Sequence, residues 1–151
     1  WCPELGREIV SNSEKTTIED IKKIGLEHAK HILKHIRDAN KILIVDTNLS
    51  ITKSYSKFLF GEIPIFDSWI EEANKCDLYI YLESTAPYID DGTRFDFETR
   101  NKLVESHLEI FKQEGINFKS FSFNQNVSTK YAYYIRLNEI INYITEFINQ
   151  Y

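Results

Sequence analysis

Apolar positions along this chain switch repeatedly between a helical and an extended spacing. The opening WCPELGREIVSN turns directly into a short helix, and Thr17 then stands as N-cap of a long helical run from Ile18 to about Ala39. Ile18, Ile21, Ile32 and Ile36 share one face of that run. KILIVD, Lys41 to Asp46, is short, rich in β-branched residues and apolar on both faces, which predicts a buried parallel strand ending on a carboxylate. TNLSITKSYSKFLFG predicts a helix starting near Leu49 and stopping at Gly61, with a second short helix around Phe66 to Asn74 carrying Trp69.

DLYIYLE, Asp77 to Glu83, is the next predicted buried strand. Phe97 to Gln113 has helical periodicity and closes at Gly115, a glycine suited to a C-terminal cap. NFKSFSF alternates, as a strand with one well-buried face does. From about Ser128 onward, Tyr134, Leu137, Ile141, Ile144, Ile148 and Tyr151 form one apolar helical face. Strands alternating with helices imply an α/β fold with a parallel sheet and right-handed crossovers.

In such sheets ligands gather beyond the carboxyl ends of the strands. Three places carry polar residues there: Glu4 and Arg7 near the start, Asp46 and Thr47, and the loop after Glu83. The fold predicts that they converge. The third is the richest, holding Asp90, Asp91, Gly92, Arg94, Asp96 and Arg100. Carboxylates and guanidiniums in one loop suit phosphoryl transfer, whose transition state spreads negative charge that metal ions and arginines neutralise. Arginine's planar fork makes two charge-assisted hydrogen bonds to a phosphate at once. The plainer alternative is a solvated loop whose charges satisfy one another.

Asp46 can hold a magnesium ion, often through water, or accept a proton from an attacking hydroxyl. The alternative is local, because Thr47 or Asn48 begins a helix and the carboxylate would then belong to its cap. Glu4 and Arg7 lie three residues apart, close enough to pair with each other or to reach a ligand together. His28, His31 and His35 have a spacing at which two could share a metal, but no carboxylate or cysteine partner is identifiable. The aromatic residues Phe118, Phe121, Phe123, Tyr131, Tyr133 and Tyr134 read as packing rather than as base-stacking platforms.

Composition narrows the classes. The 151 residues are 42% hydrophobic and 27% charged with few glycines, the make-up of one globular domain. A net charge of −5 argues against a nucleic-acid partner. No apolar run approaches the roughly 20 residues needed to span a bilayer. Cys2 and Cys76 lie far apart without metal-binding spacing, which fits a reduced, cytoplasmic setting. Nothing bears on oligomeric state.

The order PELGREI, then IVDTNLSITKSYSKFLFG, then CDLYIYLESTAPYIDDGTR resembles the ribosylnicotinamide kinase domain of the NadR family. The resemblance spans most of the chain and implies a P-loop kinase-like three-layer fold related to thymidylate kinases. It also implies use of ATP and Mg2+ to phosphorylate the 5′-hydroxyl of nicotinamide riboside in NAD salvage. Carried over by position, Glu4, Arg7, Thr47 and Asp91 would face the riboside. Asp46 would serve magnesium or the hydroxyl, with Asp46 and Glu4 both open as the base. Asp90, Gly92, Arg94 and Arg100 would belong to a phosphate-covering lid at about residues 84–100, with Arg94 catalytic.

The family's GxxxxGK[ST] loop, which cradles phosphates with backbone N–H groups and a lysine, does not occur in these residues. In the family it lies upstream of the segment matching PELGREI. The chain also starts at Trp1 and contains no methionine. The resulting expectation is a kinase domain lacking its first strand and P-loop here, and inactive without them. That strand would lie between KILIVD and DLYIYLE. Two rivals remain: a kinase of another nucleoside or nucleotide of the thymidylate-kinase type, and a non-catalytic nucleotide-binding regulatory module.

Overall fold

A computed structural model describes residues 1–9, 15–86 and 95–150, except for the side chain of Arg7. The chain divides into two compact units, Trp1–Cys76 with Asp90–Ile116 and Asp77–Ile89 with Asn117–Tyr151. Each is considered by itself.

The first unit is mainly helical. Helix α1 (Gly6–Ile9) is one turn long, and α2 (Ile18–Asp38) begins with a reciprocal cap at Thr17. The Asp20 N–H donates to Thr17 Oγ1 (3.2 Å), while the Thr17 N–H donates to Asp20 Oδ2 (2.9 Å). Two of the helix's otherwise unpaired N-terminal donors are thereby met. The Thr17 hydroxyl also donates to Asp20 Oδ2 (2.7 Å), and this bond, with that from the Thr17 N–H, holds the Asp20 carboxyl below its usual range. Helix α3 (Leu49–Phe60) stops at Gly61, whose φ of +73° is the left-handed cap that glycine adopts without a Cβ clash. Helix α4 is Ser68–Ala73, and α5 (Phe97–Gln113) is likewise followed by a left-handed glycine, Gly115.

Ile21, Ala29, Leu49, Phe66 and Ile70 form the apolar cluster joining α2, α3 and α4. Gly25 lies where α2 comes closest to it: a Cβ there would stand 2.5 Å from a Phe66 ring carbon and 3.0 Å from a Leu49 methyl. Helix α3 meets α5 through small hydroxyl residues. Ser54 and Ser56 are completely buried, and the Ser106 hydroxyl donates to the Ser54 carbonyl (2.9 Å). Lys53 bridges Glu71 of α4 and Glu114 after α5, each at 2.7 Å, and Ser50 Oγ donates to the same Glu114. Burial alone would lower the lysine's proton affinity, but the two carboxylates outweigh it and hold Lys53 above its usual range.

The second unit is built on strands β1 (Tyr79–Leu82) and β2 (Phe118–Phe121), paired in parallel with Tyr79 opposite Phe118 and Leu82 opposite Phe121. Helix α6 (Thr129–Ile148) packs on β2 through Tyr143 against Phe121, while its Tyr133 meets Phe123 edge to face at 4.8 Å. The chain is therefore mixed α/β with a small parallel sheet, as the alternating pattern predicts.

Two expectations need correction. Lys41 to Asp46 does run parallel to a neighbour, but among the described residues only through one bridge, Cys2 to Val45. It is not buried on both faces: Ile42 and Ile44 are 49% and 56% exposed. Nor is β1 the buried strand expected of DLYIYLE, since none of Tyr79–Leu82 is fully buried and Leu82 is 50% exposed; the apolar face of α6 is helical as expected, with Tyr134, Leu137, Ile141 and Ile148 exposed. Among the described residues, no helix is long and apolar enough to cross a membrane.

Candidate active site

The Cys2 bridge determines where the carboxylates emerge. The Cys2 N–H donates to the Ile44 carbonyl and the Asp46 N–H donates to the Cys2 carbonyl, both at 2.8 Å. Because the pairing is parallel, the two segments leave the bridge in the same direction. Glu4 and Asp46 therefore stand on adjacent chains at one carboxyl end, both exposed. The intervening Cys2 thiol is fully buried, and burial raises it beyond its ordinary range despite the nearby N-terminal charge. It is therefore a packing group. The Glu4 carboxylate folds over the start of α1: its Oε1 lies 2.9 Å from where a Cβ of Gly6 would stand. Any residue but glycine there would displace it.

Beyond Asp46 the backbone is strained. Thr47 has φ +63°, a region that a β-branched residue occupies at a cost of about 1–3 kcal/mol. Its hydroxyl donates to the Asp46 carbonyl (2.6 Å). The next residue, Asn48, is the N-cap of α3, accepting the Ile51 N–H at 3.3 Å. The cap role thus falls to Asn48, and the Asp46 side chain remains exposed to solvent. Leu49 N–H donates to Asn74 Oδ1 (3.0 Å), and Asn74 Nδ2 donates to the Ile70 carbonyl (2.9 Å). His28 of α2 is 3% exposed, in surroundings where the Asn74 amide and the Asp46 charge favour its protonated form. Burial nevertheless lowers its proton affinity below the ordinary value. Its Nε2 has no hydrogen-bond partner among the described residues.

Of the three predicted polar places, two, Glu4 and Asp46 with Thr47, follow the Cys2–Val45 bridge on adjacent parallel segments. Arg7 lies in α1, and its side chain is outside the described residues. Asp90, Asp91, Gly92 and Arg94 also lie outside them. Asp96 caps α5, accepting the Thr99 hydroxyl (2.6 Å) and N–H (2.9 Å), which hold its carboxyl below the usual range. Arg100 sits half-buried in the first turn of α5. In the second unit, the Glu83 N–H continues the β1–β2 pairing to the Phe121 carbonyl, and Thr85 Oγ1 accepts the Phe123 N–H (2.6 Å). The residues leading into the charged loop are thereby tied to the segment after β2.

A serine–histidine pair occurs in α3 and α5, with Ser54 Oγ 2.5 Å from His107 Nδ1. It resembles a nucleophile and its base, yet Ser54 is wholly buried and no substrate reaches it. Burial lowers His107 to about 4, so the ring is neutral near pH 7 and serves helix packing. Among the described residues no group of three or more His, Cys, Asp or Glu could hold a metal ion. A single exposed carboxylate such as Asp46 still suits magnesium, which keeps most of its waters and shares its remaining ligands with phosphates.

Glu4 and Asp46 thus lie where mixed α/β chains gather their ligands, beyond the carboxyl ends of parallel segments. The chain belongs to the AAA domain family, a P-loop class, whose model it matches over residues 1–127. It is also similar to the trifunctional NAD biosynthesis/regulator protein NadR of Salmonella typhimurium, 32% identical over 102 residues, and to that of Escherichia coli, 37% identical over 102 residues. Each match covers 66% of this chain, which spans 25% of the relative's length.

Proposed function

We propose that this chain is the greater part of a kinase domain that transfers the γ-phosphate of ATP to the 5′-hydroxyl of nicotinamide riboside, giving nicotinamide mononucleotide for cytoplasmic NAD salvage. The observation that supports this reading is that Glu4 and Asp46 both follow the Cys2–Val45 bridge on adjacent parallel segments, in a chain similar to NadR over 102 residues.

In the reaction the riboside O5′ forms a bond to Pγ while the bond from Pγ to the β,γ-bridging oxygen breaks and ADP leaves. The hydroxyl proton passes to a carboxylate, Asp46 or Glu4, and the other carboxylate orients the riboside or the metal's waters. Bound Mg2+ would neutralise charge on the phosphates, with Asp46 its protein contact. Arg7, Thr47 and Asp91 face the riboside. Arg94 and Arg100 stabilise charge on the transferring phosphoryl group, and Asp90 and Gly92 belong to a lid over residues 84–100 that excludes water.

Separate substitutions distinguish the carboxylate tasks in the gene product that carries this chain. Losing the base lowers kcat on the order of 10²-fold or more at every Mg2+ concentration. Losing the metal's carboxylate instead raises the Mg2+ needed for half-maximal rate. Near-wild-type turnover in both Asp46→Asn and Glu4→Gln contradicts the site.

A further inference from the structure

We infer that Gly6 is a positioning residue for Glu4: its bare Cα at the start of α1 is what lets the Glu4 carboxylate lie where the site uses it. This inference rests on the reading of Glu4 as a site carboxylate. The backbone that carries Glu4 is held on both sides. Upstream, the Cys2 N–H and carbonyl are bound to Ile44 and Asp46, each at 2.8 Å. Downstream, Leu5 is 5% exposed, and its carbonyl accepts the N–H groups of Glu8 (3.1 Å) and Ile9 (3.3 Å). What remains adjustable between these anchors is the Glu4 side chain, whose torsions have several staggered wells, and it folds back against Gly6.

A glycine at this position needs a reason, because alanine suits a helical backbone better. Backbone conformation does not supply one: Gly6 is helical, and the left-handed glycines are Gly61 and Gly115. Packing supplies one only through Glu4. Of the atoms beyond its chain neighbours that a Cβ on Gly6 would meet, the three nearest are Glu4 Oε1 at 2.9 Å, Cδ at 3.8 Å and Cγ at 4.0 Å. The first contact is too close to persist, while the other two are ordinary van der Waals distances. A methyl group would therefore push aside a carboxylate oxygen and leave the fold as it is, since the end of a flexible glutamate yields without backbone movement. Gly25 makes the contrast: an added Cβ there meets the Phe66 ring and a Leu49 methyl in the core. One glycine serves helix packing, and the other serves the placement of a single carboxylate.

The test uses the gene product that carries this chain, with two readouts: urea unfolding, and initial rates with nicotinamide riboside and Mg-ATP. Gly6→Ala should unfold at the same urea concentration as wild type or at a higher one. It should nevertheless lower kcat/KM for nicotinamide riboside on the order of ten-fold, since a displacement of about 1 Å in a reacting or orienting group is costly in rate. The loss should divide between kcat and KM as it does in Glu4→Gln, with the KM for ATP nearly unchanged. In a Glu4→Ala background Gly6→Ala should change the rate by less than about two-fold, because its action runs through that carboxylate. A lower urea midpoint in Gly6→Ala, an undiminished kcat/KM, or a full additional loss in the Glu4→Ala background overturns the inference and leaves the functional reading standing. If wild type turns over another nucleoside instead, the substrate named above is wrong, and the same comparison run on that nucleoside decides the role of Gly6. If wild type phosphorylates no nucleoside, the functional reading fails and the inference with it.

Discussion

Acidification should loosen the junction of α3 and α5 through a single histidine. His107 sits half-buried against Ser54, and burial depresses its pKa from 6.5 to about 4. A depressed base favours the neutral form in the folded state, so the unfolded chain binds the proton more readily between these two values. The contribution is fully present above pH 6.5 and is lost as the pH falls towards 4. Integrated over that window, the linkage is worth at most about 3 kcal/mol. That is a large share of the 5–15 kcal/mol, roughly, by which domains are stable. The comparison that isolates it is urea unfolding of wild type and His107→Leu at several pH values from 4 to 7. Leucine fills similar volume, and the Ser54 hydroxyl keeps its bond to the Ile51 carbonyl (2.6 Å). The other acid-sensitive groups, including buried His28 and the capping carboxylates Asp20 and Asp96, are common to both proteins and cancel. Wild type should lose about 2–3 kcal/mol more than the variant between pH 7 and pH 4. Parallel pH profiles would refute the reasoning.

Two further substitutions test the packing. Gly25→Ala gains about 1 kcal/mol of helix propensity, but its methyl meets Phe66 at 2.5 Å and Leu49 at 3.0 Å. Overpacking of that kind costs about 1–3 kcal/mol, so urea unfolding should show a net loss that Phe66→Leu partly relieves; a more stable single variant contradicts the close approach. Ser56 is fully buried and its hydroxyl has no partner among the described residues. Ser56→Ala should therefore raise stability by roughly 0.5–1.5 kcal/mol, read as a higher urea midpoint with an unchanged slope.

Helix positions were highly legible because their signals are local. Thr17, Gly61 and Gly115 mark ends that backbone geometry enforces within a few residues, and the structure places caps at all three. Burial was less legible, since it depends on neighbours far away in sequence. The apolar, β-branched run Lys41 to Asp46 specifies an extended segment but not how many chains flank it, and only Cys2 pairs with it among the described residues. The same holds for the periodic face of α6, whose spacing is helical while Leu137 and Ile141 stay exposed. The strand-end rule singles out Asp46 and Glu4, and the Cys2–Val45 bridge puts both on the carboxyl side of adjacent parallel segments. His28 drew notice for its spacing from His31 and His35. Its burial in the structure is set by residues far away in sequence, which no helical spacing reveals. Ser54 and His107 went unnoticed for the same reason.

The central claim is that this chain serves phosphorylation of nicotinamide riboside with Asp46 at the reacting centre. The most direct measurement is mononucleotide formation by the gene product that carries it, supplied with Mg-ATP and, in turn, nicotinamide riboside, thymidine, deoxycytidine and their monophosphates. Nicotinamide riboside should show the highest kcat/KM, on the order of 10²-fold or more above the others, and Asp46→Asn should remove most of it. A preference for thymidine or a monophosphate, no turnover of any of them, or full activity in Asp46→Asn would contradict the account.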